Sequence, residues 1–257
     1  MIDLIQGDCL EKMQDIKDKS IDMILCDLPY EVLNKGNKHA QWDKMLPLDE
    51  LWKQYERIIK DNGAIVLFCQ GMFTAKLMMS NEKLWRYNLI WDKVAPTGFL
   101  NANRMPLRCH EDISVFYKSL PTYNPQMQKC EPHKRNHSKG NLCTPHKNNC
   151  YGSIVETPTI ISDEKFPKSI ITISKEHCNG KFFHPTQKPI ALLEYLIKTY
   201  TNEKEMVLDN TMGSGSTMVA CVNTDRYGIG IELDKNYYEI AKQRVKDAIE
   251  EKESRLF

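Results

Sequence analysis

Val207-Leu208-Asp209-Asn210-Thr211-Met212-Gly213-Ser214-Gly215-Ser216-Thr217 reads as an apolar strand, a tight glycine turn and the first turn of a helix. Glycine lets a backbone come close to a bound molecule, and a helix N-terminus favours negative charge. Glu232 stands 19 residues beyond Gly213, at the end of the next apolar run, residues 227–231. A carboxylate at that place accepts hydrogen bonds from two ribose hydroxyls. Together these features predict a nucleoside-cofactor site; a plain strand-to-helix turn leaves the acid at that offset unexplained. The loop lacks the Lys that a P-loop carries after its second glycine. It also lies far along the chain, whereas a dinucleotide fold places its glycines after the first strand. Asp209, directly before the turn, suits an ammonium or a sulfonium better than a pyrophosphate. S-adenosylmethionine carries both, with a ribose for Glu232.

Short apolar strands alternate with amphipathic helices on either side of this loop. Residues 2–6, 21–26, 64–69, 87–91 and 112–117 read as strands, and residues 48–60 as a helix with Leu48, Leu51, Trp52, Tyr55, Ile58 and Ile59 on one face. Asp61-Asn62-Gly63 is its expected stop. Beyond Lys188 the helical period returns through Ile190, Leu193, Leu196, Ile197 and Tyr200, and Asp234 is placed to cap a last helix. Strands that are apolar throughout predict a mostly parallel sheet covered on both faces. The pattern lapses between: ten of the twelve prolines lie between 96 and 189, and 118–183 shows little helical period. That stretch reads as a loop-rich insertion with a short strand at 170–174.

The 257 residues suffice for one large domain with an insertion, and 41% apolar with 27% charged residues is ordinary for a soluble globular chain. A net charge of +1 names no partner, but 118–188 carries eleven Lys and Arg against five Asp and Glu. A basic segment on a mildly acidic body suits a polyanion. Cys26, Cys69 and Cys221 sit in apolar runs, as small hydrophobes do. No apolar run approaches the ~18 residues of a membrane span, and Met1-Ile2-Asp3-Leu4 has no basic leader. Reduced thiols in a cytoplasm are the expectation.

A second unusual stretch follows the strand at 21–26: Asp27-Leu28-Pro29-Tyr30. An acceptor carboxylate and a flat aromatic ring at a strand exit could hold a planar heterocycle bearing an amino group. The plain alternative is a loop start with Asp as turn former and Pro as breaker.

The order Asp27-Leu28-Pro29-Tyr30, basic insertion, His184-Pro185-Thr186-Gln187-Lys188-Pro189, then Asp209 to Thr217 resembles the β class of amino-methylating DNA methyltransferases, of restriction–modification or phage type. The resemblance covers nearly the whole chain. It implies a Rossmann-like seven-stranded methyltransferase sheet, circularly permuted. The catalytic half would be 1–117, the target-recognition segment 118–183 and the cofactor half 184–257. It further implies that Asp27 and the Leu28 carbonyl accept the two hydrogens of a flipped base's exocyclic amine, with Pro29 shaping the loop and Tyr30 stacking on the ring. S-adenosylmethionine would be held by Gly213, Ser214, Gly215, Ser216 and Thr217, with Asp209 and Thr211 beside them. Glu232 would take the ribose, Asp8 with Cys9 the adenine, and Lys188 would flank the cofactor. Leu28 replaces the family's first Pro, and Thr211 stands where many members carry Phe. The family often dimerises, so a homodimer is one state open to this chain.

An exocyclic amine inside a duplex is out of reach, so the target must be flipped. Lys129, Lys134, Arg135, Lys139 and Lys147 in the insertion, with Lys93, Arg104 and Arg108 before it, are the candidate contacts to double-stranded DNA. Asp27 at the head of the tetrapeptide leans the reading to adenine N6, with cytosine N4 as the alternative. Cys130-x-x-His133, His137, Cys143-x-x-His146 and Cys150 have zinc-like spacing. They sit in a Lys/Asn-rich stretch, and no metal is expected. A nicotinamide-dependent oxidoreductase, a non-catalytic nucleic-acid-binding module, and RNA or protein as substrate are the competing readings.

Overall fold

The computed structural model describes residues 1–30, 45–136, 159–175 and 187–255. The chain begins with β1 (Ile2–Gln6), α1 (Cys9–Lys12) and β2 (Ile21–Asp27). Next come α2 (Leu48–Ile58), β3 (Ile59–Cys69), α3 (Met72–Ser80), β4 (Trp85–Thr97) and β5 (Arg108–Phe116). β6 (Gln128–Asn136) and β7 (Thr159–Lys165) are followed by β8 (Ile170–Thr172) and α4 (Ile190–Tyr200). The remaining elements are β9 (Met206–Asp209), α5 (Ser216–Asn223), β10 (Tyr227–Glu232) and α6 (Lys235–Ser254).

Eight strands form one sheet in the order β1-β10-β9-β2-β3-β5-β4-β8. β5 runs antiparallel to β3 and β4; the other pairs are parallel. This is the α/β architecture that the alternation of elements predicts. It has one strand more than the seven expected, because Ile170–Thr172 joins the β4 edge through Ile90↔Ile170.

Both faces of the central strands are covered. Met23, Leu25, Val66 and Phe68 point into a core shared with Leu193, Leu196, Val219, Ala241 and Val245 from α4, α5 and α6. Ile24, Cys26, Ile65, Leu67 and Cys69 point the other way, onto Leu51, Trp52, Tyr55 and Ile58 of α2 and Phe73 and Leu77 of α3. Burial on both sides is why these strands read as continuous apolar runs. α2 stops two residues earlier than its period suggests. Ile59 is buried and pairs with Ile21 as a strand, so sheet pairing overrides the helical pattern at 59–60. Asp234 does cap α6, its Oδ1 accepting from Asn236 N at 2.7 Å and Tyr237 N at 3.1 Å.

Met1–Asn124 with Ser169–Phe257 form one compact unit, and Pro125–Lys168 a second. The second contains β6 and β7 as an antiparallel pair, with Lys129 opposite Glu164, Lys134 opposite Ile161 and Arg135 opposite Ile160. Among the described residues no helix is long and apolar enough to cross a membrane.

Candidate active site at the carboxyl ends of the strands

Parallel pairing brings the two distinctive stretches together. β9 lies beside β2 with Met23↔Val207 and Ile24↔Leu208 in register, so three residues on Asp27 falls beside Thr211. The Thr211 hydroxyl donates to the Asp27 carbonyl at 3.1 Å, tying the cofactor loop to the tetrapeptide across 184 residues of sequence. Thr211→Val, which keeps the shape and loses this bond, is expected to cost about 1 kcal/mol in stability. Thermal unfolding of the pair checks it; an unchanged midpoint would leave the tie without weight.

The glycine loop has the conformation its residues imply. Gly213 and Gly215 take φ of +54° and +80°, in the region that favours glycine. A Cβ on Gly215 would lie 2.8 Å from Ala241 Cβ, so the loop also packs hard against α6. Arg244 of α6 holds it from the side, donating to Ser214 O at 2.6 Å, Ser214 Oγ at 3.0 Å and Ser216 Oγ at 3.1 Å. Sequence reasoning missed Arg244, because nothing local distinguishes one Arg on a solvated helix from its neighbours.

Glu232 ends β10 and accepts from Gly213 N at 2.9 Å and Asp234 N at 2.8 Å, one bond to each oxygen. The remaining lone pairs are open to a diol. Burial pushes its carboxyl above the ordinary value, with the two N–H groups opposing. β1 pairs with β10 so that Gln6 lies opposite Glu232 and Gly7 N donates to the Glu232 carbonyl at 2.9 Å. That brings Asp8 to the same rim, where its Oδ1 caps α1 through Leu10 N at 2.8 Å. Cys9 beside it is buried.

Asp209 is 4% exposed. Burial pushes its carboxyl up to about 7, against hydrogen bonds from the Thr217 hydroxyl and Thr211 N. A buried acid at the head of a glycine turn, with no cation among the partners that set its titration, fits a ligand ammonium. Glycines that admit a close backbone, Asp209 for the ammonium, Glu232 for the ribose and Asp8 just past the adjoining strand fit the cofactor that the sequence suggests.

The tetrapeptide begins where β2 ends. Leu28 is 3% exposed and packs into the α2-side core, so its side chain anchors the loop. The Tyr30 hydroxyl donates to Asp27 Oδ1, and its ring lies 4.9 Å from that of Phe73. Asp27 Oδ2 accepts from the Lys188 ammonium. Residues 31–44, expected as a loop after the tetrapeptide, lie outside the described residues.

Two lysines that the sequence reading assigned to ligands are paired with carboxylates of the chain itself. Lys188, expected against the cofactor, is 8% exposed and lies between two carboxylates: Asp27 and, at 3.5 Å, Glu111 Oε2. Lys93, expected on a phosphate, is 2% exposed and bonded to Glu111 Oε1 at 3.0 Å, so no phosphate reaches it from solvent. Both pairings join separate elements and leave no local trace in the sequence. Arg104 and Arg108 are exposed, as is Lys129. Lys139, Lys147, His137, Cys143, His146 and Cys150 lie outside the described residues, as do the side chains of His133, Lys134 and Arg135.

The fold, the joined loops and the row of acids at the strand ends define an amino-directed DNA methyltransferase. The chain belongs to the N6/N4 DNA methylase family, whose model matches residues 21–243. It is 28% identical to the type II methyltransferase M.HinfI of Haemophilus influenzae, the match covering 95% of this chain and 68% of that one. It is 27% identical to M.HpaI of Haemophilus parainfluenzae, over 94% of this chain and 73% of that one. The solved complex of M1.HpyAVI with SAM matches with a TM-score of 0.64 and 26% identity, over 95% of this chain and 99% of that one. The PvuII cytosine-N4-specific DNA methyltransferase shares the fold, with a TM-score of 0.69, 14% identity and coverage of 97% and 91%. The methyl donor of this family is S-adenosylmethionine.

Proposed function

We propose that this DNA methyltransferase acts on the N6 amine of an adenine flipped out of duplex DNA, with Asp27 and the Leu28 carbonyl as the amine's acceptors. The observation that carries the reading is the β2–β9 pairing, which sets the Asp27 tetrapeptide beside the cofactor loop at the strand ends.

The amine's lone pair is conjugated into the ring, so the protein's task is to turn that nitrogen toward sp³ and aim it. Two acceptors on two N–H groups do this. Bound S-adenosylmethionine supplies an electrophilic methyl on a sulfonium. Asp209 would hold the ammonium end and Glu232 the ribose, with Asp8 near the adenine. As the amine nitrogen gains the methyl it becomes acidic, and Asp27, which in this reading already accepts one of its hydrogens, is placed to receive the proton. Flipping costs a few kcal/mol; stacking on Tyr30 is worth roughly 1–3 kcal/mol and offsets part of it.

Asp27 at the head of the tetrapeptide favours adenine over cytosine. Mass spectrometry of nucleosides from DNA treated with the protein is expected to show N6-methyladenine; N4-methylcytosine alone would overturn the choice. The permuted reading of the sheet is supported by its order, in which β1 lies beyond β10 and β9.

The DNA face in this reading is the loop between β4 and β5. From Lys93 to His110 there is no acidic residue. Phe99 and Leu100, 80% and 98% exposed, stand beside Arg104 and Arg108. Arg104→Ala and Arg108→Ala are each expected to weaken binding to all duplexes alike and to lower the log–log salt slope by about 1. Filter binding at several salt concentrations checks this, and an unaltered slope would place the duplex elsewhere. A homodimer belongs to the reading on the family's habit alone.

A further inference from the structure

Lys188, Glu111 and Lys93 form a buried row of charge that the reaction as drawn leaves without a task. Lys188 enters just before α4 and meets Asp27 from 161 residues away. Glu111 lies opposite Trp91 on the β4–β5 pair and divides its oxygens, Oε1 to Lys93 at 3.0 Å and Oε2 to Lys188 at 3.5 Å. Oε2 is fully buried and has no hydrogen bond among the described residues, so the charge of Lys188 is what compensates it. The Phe68 ring closes the site, 4.9 Å from the Lys188 ammonium. Burial works against the Lys188 ammonium, and Asp27 and Glu111 outweigh it and hold its pKa above the ordinary lysine value. Burial and the two neighbouring lysines press Lys175 the other way. Two cations and two anions thus make a balanced row that ends on the carboxylate of the tetrapeptide.

We propose that Lys188, itself fixed by Glu111 and Lys93, is a positioning residue for the Asp27 carboxylate: it pins Oδ2 and leaves Oδ1 as the edge offered to the target amine. The proposal rests on Asp27 being the amine's acceptor. An aspartate at a strand exit is free to rotate about its last torsion, and could present either oxygen or turn its face away. The two groups on it here are of different kinds. Lys188 is buried, charged and held from behind by Glu111. The Tyr30 hydroxyl is neutral and sits on the same loop that takes the base. An entering amine is also a donor, so it replaces the tyrosine hydroxyl at Oδ1, and the ring is released to stack. Lys188 is not open to the cofactor's carboxylate, because Asp27 and Glu111 already hold its buried ammonium. It does not suit a phosphate, because it faces inward.

The test compares Lys188→Met, Lys188→Ala and Glu111→Gln with the wild-type chain. Single-turnover methylation, S-adenosylhomocysteine affinity by titration calorimetry and duplex affinity are measured for each. Lys188→Met is expected to lower the single-turnover rate by ~100-fold or more, on the scale of removing a preorganised group from a reacting centre, with both affinities within about threefold of wild type. Added propylamine is expected to restore part of the Lys188→Ala rate, in proportion to its ammonium form, which a merely structural role would not allow. Glu111→Gln keeps the shape and removes only the charge, so it carries the test should Lys188→Met not fold. Its expected loss is smaller, and absent when combined with Lys188→Met. A normal rate at saturating cofactor with weakened S-adenosylhomocysteine binding would overturn the proposal and make Lys188 a cofactor ligand. Normal turnover in Asp27→Ala is a separate outcome: it removes the reading on which the proposal rests, whatever Lys188 does.

Discussion

Asp27→Ala is expected to abolish methyl transfer, by at least about 10³-fold in single-turnover rate, while the cofactor still binds. In the proposed reading the side chain is one of two acceptors that shape the target nitrogen, and the other is a backbone carbonyl that repacking does not replace. Cofactor affinity should survive, because the Asp209, Gly213 and Glu232 contacts do not pass through this carboxylate. Deleting it also leaves the buried Lys188 ammonium with Glu111 alone. Breaking a buried pair costs on the order of 3 kcal/mol, so the variant should melt below wild type. Asp27→Asn separates the two effects. It keeps an acceptor oxygen and the shape, loses the charge, and should turn over at a rate between the other two. A folded Asp27→Ala protein with near-normal turnover would remove Asp27 from the chemistry.

The second large effect is a dependence of cofactor affinity on pH, set by Asp209. Burial pushes its carboxyl up to about 7, well above the usual carboxylate. In the proposed reading the ammonium end of the ligand pairs with the Asp209 anion. Below about pH 7 a proton must leave first, and affinity should fall roughly tenfold for each pH unit. Above about 7 it should level off. Calorimetry with S-adenosylhomocysteine in two buffers of different ionisation heat should find close to one proton released at pH 6 and almost none at pH 8. Asp209→Asn should bind weakly with little pH dependence; a flat profile in the wild-type chain would contradict the assignment. The same group acts on stability in the opposite sense. A raised acid holds its proton in the folded chain where the unfolded chain has already lost it. Its contribution is therefore present at low pH and is lost as pH rises from the ordinary aspartate range toward about 7. Bound ligand should cancel that loss.

What the sequence made legible was local. The glycine turn, its flanking Asp209 and the acid at the end of the next strand lie within one strand–helix–strand unit, and spacing alone located them. Asp27 to Tyr30 stood out because a carboxylate, a proline and a ring are an odd way to end a buried strand. The doubly covered sheet followed from strands with no polar face. The partners of Lys188 and Lys93 were not legible because a lysine in a sequence looks solvated, and only the third dimension shows Asp27 and Glu111 around the first and Glu111 beside the second. Arg244 and the Thr211 hydroxyl escaped for the same reason: each bonds a partner on another element. The end of α2 was misjudged because Ile59 satisfies a helical face and a strand pairing equally well, and β2 decided between them.

The seam between β2 and β9 also governs when the molecule becomes an enzyme. Asp27 is polymerised early, and the Thr211 hydroxyl that binds its carbonyl comes 184 residues later. At about 5–20 residues per second that is a delay of roughly ten to forty seconds on the ribosome. Through that interval β2 has no partner on its β9 side, and the tetrapeptide has no glycine loop beside it. A nascent chain therefore carries the tetrapeptide without the loop that pairs with it, and the two meet only in molecules whose sheet has closed.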